Sequence, residues 1–402
     1  MAVRPNYADY ESSDEYDTAY DAWRTGQKEQ YDQPEGYADT LTDFFIQSIP
    51  EFLHGDGNQA CSPLNVYMAL SMLAETTGGD SRQQLLALLG ADSISQLRSQ
   101  AAHVWNAHYC ADGQTSTVLA NSLWLDNAYT FRQETADLLA DSHYAAVFHG
   151  DLGTEPLNQQ LRSWLNQQTG SLLAEQSKNT QLHPDTVFAL ASTVYFRADW
   201  DTKFQEKNTK ESLFHSSKGD ISAAFMNTTF SGTYYWDDHF GAVCLRLSGS
   251  NSMWLILPDE GFSVFDILAS DAYLRLTLDP TQWKNQKRCM INLSLPKFDI
   301  SSQKDLSDSI RDLGVSNIFD CSLSDFTPIT DSAGLFVNKI DHAVRVCIDE
   351  DGVTAAAYTV IDAPAGSAPP TEEIDFTLDR PFLFLVSSRD QLPLFAGIVN
   401  EP

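Results

Sequence analysis

Glu350-Asp351-Gly352-Val353-Thr354-Ala355-Ala356-Ala357-Tyr358-Thr359-Val360-Ile361 reads as a β-strand set beside an exposed loop. Alternate residues from Val353 onward are Val353, Ala355, Ala357, Thr359 and Ile361, all uncharged and small or β-branched. That is what the inward face of a paired strand requires. Yet the stretch opens on two carboxylates and a glycine, and it runs into Asp362-Ala363-Pro364-Ala365-Gly366-Ser367-Ala368-Pro369-Pro370, a Pro/Gly-rich run that neither strand nor helix tolerates. A loop whose stem can join a sheet points to strand insertion as a working motion.

The segment resembles the hinge and reactive loop of a serpin: an acidic pair, a glycine, a threonine-like residue, one variable residue and a run of alanines. Val353 stands where threonine or serine is usual, and Tyr358 follows the alanines directly. Neither change puts a charge on the face to be buried. Other stretches resemble the same family in order along the chain. They are Ser62-Pro63-Leu64-Asn65-Val66 with Ala69 to Leu73 and then Leu89-Gly90, Trp164 with Thr169-Gly170, and Val194 to Trp200 with Phe204. Leu257-Pro258, Leu295-Pro296-Lys297-Phe298, Asp379 to Phe384 and the closing Leu394 to Pro402 complete the series.

The resemblance covers roughly residues 37 to 402 and implies an α+β serpin fold: a single large domain of three β-sheets with about eight or nine helices. The hinge and reactive loop would span 350–375. Length alone would favour a split, since one core seldom exceeds about 250–300 residues. No linker or repeat marks a boundary after residue 36, and a 43 % hydrophobic content suffices for one large core.

Residues 1–36 differ. Nine carboxylates oppose Arg4, Arg24 and Lys28, aliphatic residues are nearly absent, and Tyr7, Tyr10, Tyr16, Tyr20 and Tyr31 stand among the charges. This acidic, Tyr-rich composition predicts a disordered extension, either a solvating tail, the remnant of a trimmed surface anchor, or a docking peptide. No apolar run follows Met1, and no stretch reaches the 18 to 20 apolar residues of a membrane span.

A net charge of −30, from 55 acidic and 25 basic residues, repels phosphate and sulfate backbones. Nucleic acid and heparin-like polyanions are therefore excluded as expected partners. A carboxylate-rich, lysine-poor inhibitor would suit a bacterial, extracellular or cell-surface setting. The cysteines Cys61, Cys110, Cys244, Cys289, Cys321 and Cys347 show no short pair spacing, and no histidine completes a cluster with them. Free buried thiols, no metal and no cofactor are expected.

Hydrolase motifs are missing: there is neither Gly-x-Ser-x-Gly nor His-Glu-x-x-His. Asp341-His342 with Ser62 invites a triad reading, but the resemblance assigns Ser62 and His342 to a polar cluster beneath the sheet, where strands part to admit the loop. Asn65 and Ser192 belong to the same cluster and exchange the residue types usual in the family. Asn65 is expected to bond His342 or the neighbouring strand backbone. Where the loop enters, the resemblance pairs Glu350 with Lys297 close to Trp200.

The mechanism implied is suicide trapping of a serine protease: attack on the loop, an acyl-enzyme, then insertion of the freed stem before deacylation. Fourteen residues from Val353 to Gly366, at about 3.3 Å each, span roughly 46 Å. Family spacing from Glu350 places the scissile bond at Gly366-Ser367, within a window of Ala363, Pro364, Ala365 and Ala368. No Lys or Arg lies between Arg345 and Arg380, which disfavours trypsin-like enzymes. Elastase-like or subtilisin-like proteases fit small residues; Asp362 and Glu372 leave an acid-specific protease open. The molecule is expected to be a monomer able to polymerise by loop insertion. The alternative is a non-inhibitory serpin that binds, carries or stores a ligand.

Overall fold

The fold was obtained as a computed structural model that describes residues 5–10, 12–111, 115–178, 180–353 and 370–402. Sixteen strands are present among these residues. They are β1 (Gln59–Cys61), β2 (Cys110–Ala111), β3 (Ser116–Asp126), β4 (Ala145–Gly150), β5 (Phe188–Asp199) and β6 (Lys210–Ser216). Next come β7 (Gly219–Trp236), β8 (Phe240–Arg246), β9 (Ser252–Pro258), β10 (Gln286–Pro296) and β11 (Phe298–Asp305). The last five are β12 (Asp341–Ile348), β13 (Gly352–Val353), β14 (Glu373–Thr377), β15 (Phe382–Ser387) and β16 (Pro393–Val399).

The backbone packs as two compact units, each drawn from three separate stretches of chain. Residues 42–66, 197–313 and 339–402 form one unit. It holds a nine-stranded sheet in the order β1-β16-β15-β9-β8-β7-β10-β14, with β6 paired to β7. β9, β15 and β16 are buried on every residue, which explains why they are apolar throughout except at the terminal Ser252 and Ser387. Strand β7, 18 residues long, pairs with β6 and β10 and then with β8, so layers expected as separate sheets join through it.

Residues 1–41, 67–196 and 314–338 form the other unit. Its core packs Trp124, Leu152, Leu157, Leu161 and Trp164, with Phe148 stacked on Trp124 at 4.2 Å between ring centroids. β2, β3, β4 and residues 188–196 of β5 lie in this unit, whereas β11, β12 and β13 of the same seven-stranded sheet, which runs β11-β12-β13-β5-β3-β2 with β4 paired to β3, belong to the first. Strand β5 contributes residues to both units, and its last two residues pair with β13.

Eleven α-helices occur among the described residues, three of them of six residues or fewer. The first five are α1 (Ser13–Tyr31), α2 (Leu41–Phe52), α3 (Pro63–Thr76), α4 (Gly79–Leu88) and α5 (Ile94–His108). The α1 helix corrects the expectation of a disordered extension. Its half-buried residues Tyr16, Ala19, Tyr20, Trp23, Gln27, Gln30 and Tyr31 recur at helical spacing, and the carboxylates face outward. Ser12 caps its start by accepting from the Glu15 N–H. The Gln30 amide donates to the carbonyls of Asn106 and Tyr109 at 2.9 Å each, filling acceptors that the end of α5 leaves open. Aromatic contact area and these bonds supply what aliphatic side chains would otherwise give.

The same unit contains a polar cluster that no motif announced. Arg98 on α5 donates to both oxygens of Glu75 on α3, at 2.8 and 2.9 Å. His143, fully buried, stands 3.5 Å from the same carboxylate. Burial opposes ionisation of Glu75, but His143 and Arg98 outweigh it and hold the carboxyl below its ordinary range.

Candidate functional site at the hinge

The hinge begins as a tight turn. Strand β12 alternates buried His342, Val344, Val346 and Ile348 with more exposed partners, as a one-sided strand should. It ends at Ile348, and the chain reverses so that Val353 pairs antiparallel with Ile348. Val353 also pairs with Ala198 of β5, and Gly352 with Asp199. The two hinge residues therefore stand as a strand between β12 and β5. Both are buried. A Cβ on Gly352 would collide with the Ala198 carbonyl oxygen and lie 2.7 Å from the Asp199 Cα, so the strands close only on glycine.

Trp200 fixes this turn from the β5 side. Buried at 3 % exposure and packed edge-on to Phe204, it donates its indole N–H to the Asp349 carbonyl at 2.8 Å. Its backbone N–H reaches the Asp351 carbonyl at 3.0 Å, and the Phe204 N–H reaches Glu350 at 3.1 Å. The expected ion pair is present: Lys297 Nζ lies 2.7 Å from Glu350 Oε2. The Lys297 ammonium is held above its ordinary value, chiefly by this bond. Burial disfavours the Glu350 carboxylate, but Lys297 and Thr209 together outweigh it and keep the group below the usual range.

Two partners escaped sequence reading. Thr209 donates its hydroxyl to the other Glu350 oxygen at 2.7 Å, so both carboxylate oxygens are satisfied. Lys203 bridges Asp351 at 2.8 Å and Asp199 at 3.3 Å, tying the hinge to the end of β5. Neither residue lies near Glu350 in the chain or belongs to a motif. Only the abundance of carboxylates at the turn signalled that cations would be needed.

The polar cluster is partly assembled as expected. The Ser62 N–H donates to His342 Nε2 at 2.9 Å, and the Ser62 hydroxyl donates to the Leu394 carbonyl at 2.6 Å. A nucleophile would instead offer its hydroxyl to the imidazole. Asp341 is exposed and pairs with Lys339. Burial, reinforced by Lys304, lowers the His342 pKa to about 4, so the ring is neutral near pH 7. Asn65 is buried on α3, and Ser192 is half-buried on β5.

Thr354, Ala355, Ala356 and Ala357 of the hinge lie outside the described residues. So do Gly366, Ser367 and the window Ala363, Pro364, Ala365 and Ala368. Beyond the loop, β14 pairs parallel with β10, and Lys287 lies 3.1 Å from Glu372. All six cysteines are free; Cys61 and Cys289 are buried. Cys321 corrects the expectation of burial, because it lies in an exposed turn rather than a strand. Among the described residues no helix is long and apolar enough to cross a membrane. No group of three His, Cys, Asp or Glu side chains among them could hold a metal ion.

Three comparisons bear on this geometry. Human Serpin B4 is 26% identical over 385 residues, covering 90% of this chain and 98% of that protein. The structure of tengpin, a thermophilic serpin, in its native state superposes with a TM-score of 0.81 at 23% identity, covering 92% of this chain and 95% of that one. Human thyroxine-binding globulin in complex with its ligand gives 0.79 at 20% identity, covering 93% and 99%. Both structural likenesses speak to the fold alone. The serpin family, described as serine protease inhibitors, matches residues 40–402, and with that match over nearly the whole length the chain belongs to the serpin family.

Proposed function

We propose that this serpin is an irreversible suicide inhibitor of serine endopeptidases with elastase-like or subtilisin-like pockets. The observation that carries the reading is β13: Gly352 and Val353 are already paired between β12 and β5. Insertion of the cleaved stem would lengthen an existing strand rather than start one. Continued in this register, Ala355 would face Val346, Ala357 would face Val344 and Thr359 would face His342, all on the buried side of β12. Tyr358 would then point outward opposite Ala343. Each inserted residue adds ladder hydrogen bonds, worth about 1 kcal/mol apiece, so the step is effectively irreversible. The native state is thus held kinetically, and loop insertion is the switch known for this family.

The scissile bond is assigned to Gly366-Ser367, where small residues suit a shallow pocket. The protein acts as a monomer outside the cell or at its surface, and polymerises when one loop inserts into another molecule. A bacterial source rests on composition alone.

Incubation with pancreatic elastase and with subtilisin, followed by a denaturing gel, tests the reading. A stable band near the summed mass is expected, and sequencing of the released C-terminal fragment identifies the bond. Clean cleavage without complex would favour a binding or carrier role, as in thyroxine-binding globulin.

A further inference from the structure

The turn that joins β12 to β13 is closed by one side chain. Asp349 Oδ1 accepts from the N–H of Asp351 at 2.9 Å and from the N–H of Gly352 at 3.2 Å. Its own N–H donates to the Gly352 carbonyl at 3.1 Å, and its carbonyl accepts from Trp200. Asp349 thus makes four bonds in a turn whose two ends are the paired residues Ile348 and Val353. Glu350 and Asp351, by contrast, are held from outside the turn by Lys297, Thr209 and Lys203.

We infer that Asp349 is a positioning residue for inhibition: its carboxylate closes the turn that sets the register in which the loop enters the sheet. This rests on the insertion reading given above. Side chains alternate with a period of two, so a slip of one residue would turn Tyr358 inward and place Ala355 and Ala357 outward. An insertion begun in the wrong register has to back out before it can finish. Trapping is a race between insertion and deacylation, so delay lets the protease escape and leaves cleaved inhibitor behind. An aspartate serves here because its short side chain reaches the N–H groups two and three residues ahead. Asparagine retains that oxygen; alanine does not.

The test compares full-length wild type, Asp349→Asn and Asp349→Ala in two measurements. The first is the number of inhibitor molecules consumed per protease trapped. The second is the rate at which the cleaved protein gains thermal stability, which reports insertion whether or not trapping occurs. For Asp349→Ala, which loses both side-chain hydrogen bonds, insertion should slow and consumption rise by at least about fivefold, the factor expected for a single such bond, with the rate of loop cleavage unchanged. Asp349→Asn should stay within about twofold of wild type, as its retained acceptor requires. Normal insertion and consumption by Asp349→Ala, with only a lowered melting point, would overturn the inference, as would an asparagine variant as slow as alanine. Wild type that gains stability on cleavage but traps nothing would overturn the inhibitor reading alone, and the insertion rates would still decide the role of Asp349.

Discussion

The indole N–H of Trp200 meets the carbonyl of Asp349 at 2.8 Å, joining the end of β5 to the first residue of the hinge turn. The bond spans 149 positions of sequence. Trp200→Phe removes it while retaining the edge-on packing against Phe204. A part-buried bond of this kind contributes about 1 kcal/mol, so the midpoint of thermal unfolding should fall by about 2 °C. An unchanged midpoint in a melt of the uncleaved protein would mean that the ring, not the bond, is what matters there.

Lys297 and Glu350 form the ion pair beside that bond, and Glu350 is the more sheltered partner. Glu350→Lys sets like charges against each other and also forfeits the Thr209 hydroxyl. The hinge should loosen, and ladders of polymer should form on native gels during mild warming. Adding Lys297→Glu restores opposite charges and should recover about 1 kcal/mol in a double-mutant cycle. Additive losses in the cycle would show that the two charges do not interact.

His342 gives a pH dependence whose sign is fixed. Burial lowers its folded pKa to about 4, against an ordinary 6.5 when unfolded. Between these values the unfolded chain binds a proton that the folded chain does not, so stability should fall as pH drops from about 6.5 to 4. The contribution is on the order of 3 kcal/mol at most. Glu350 acts in the same direction at lower pH, since its depressed pKa makes the hinge pair fail as the carboxylate takes up a proton. His342→Gln should flatten the melt-versus-pH curve above pH 4 and leave the acid limb in place. A curve as steep as that of wild type would place the titrating group elsewhere.

The hinge is legible in the sequence because its constraints are local and redundant. A period-two pattern of small and β-branched residues, a glycine at a crowded crossing and a Pro/Gly-rich sequel all lie within twenty-one residues of one another. The Ser62 and His342 contact follows from resemblance, since residues 280 apart carry no local sign of meeting. Lys203 and Thr209 are invisible for the same reason and have no motif to report them. The N-terminal extension is misread when its charge density is weighed and its period is not. Tyr16, Tyr20, Trp23 and Tyr31 fall on one helical face, and α5 supplies the acceptors that α1 satisfies. Composition measures whether a segment can fold alone, whereas α1 folds against a neighbour.

The buried Glu75 cluster should prove the most sensitive polar group in its unit. Arg98→Ala strips the carboxylate of two short bonds and leaves it facing His143 at 3.5 Å. An uncompensated buried charge costs about 3 to 5 kcal/mol. A large drop in melting midpoint is therefore expected near pH 7, easing as acid protonates Glu75. Glu75→Gln combined with Arg98→Met removes both charges and should be milder than Arg98→Ala. A double variant as unstable as the single one would show that shape, not charge, sets the loss.

Specificity offers the sharpest check on the bond assignment. Nothing basic lies between Arg345 and Arg380, and a protease whose pocket holds a carboxylate needs a cation to enter it. Gly366→Arg should therefore create a trap for trypsin while weakening the complex with elastase, read as bands of summed mass on a denaturing gel. If Gly366 precedes the scissile bond, the fragment released from the trypsin complex begins at Ser367. If trypsin instead cuts after the introduced arginine without being held, the bond lies elsewhere in the window from Ala363 to Ala368. The inserted length would then no longer match the distance over which the protease must be carried, and arginine at each neighbouring position in turn would locate the bond by where trapping returns.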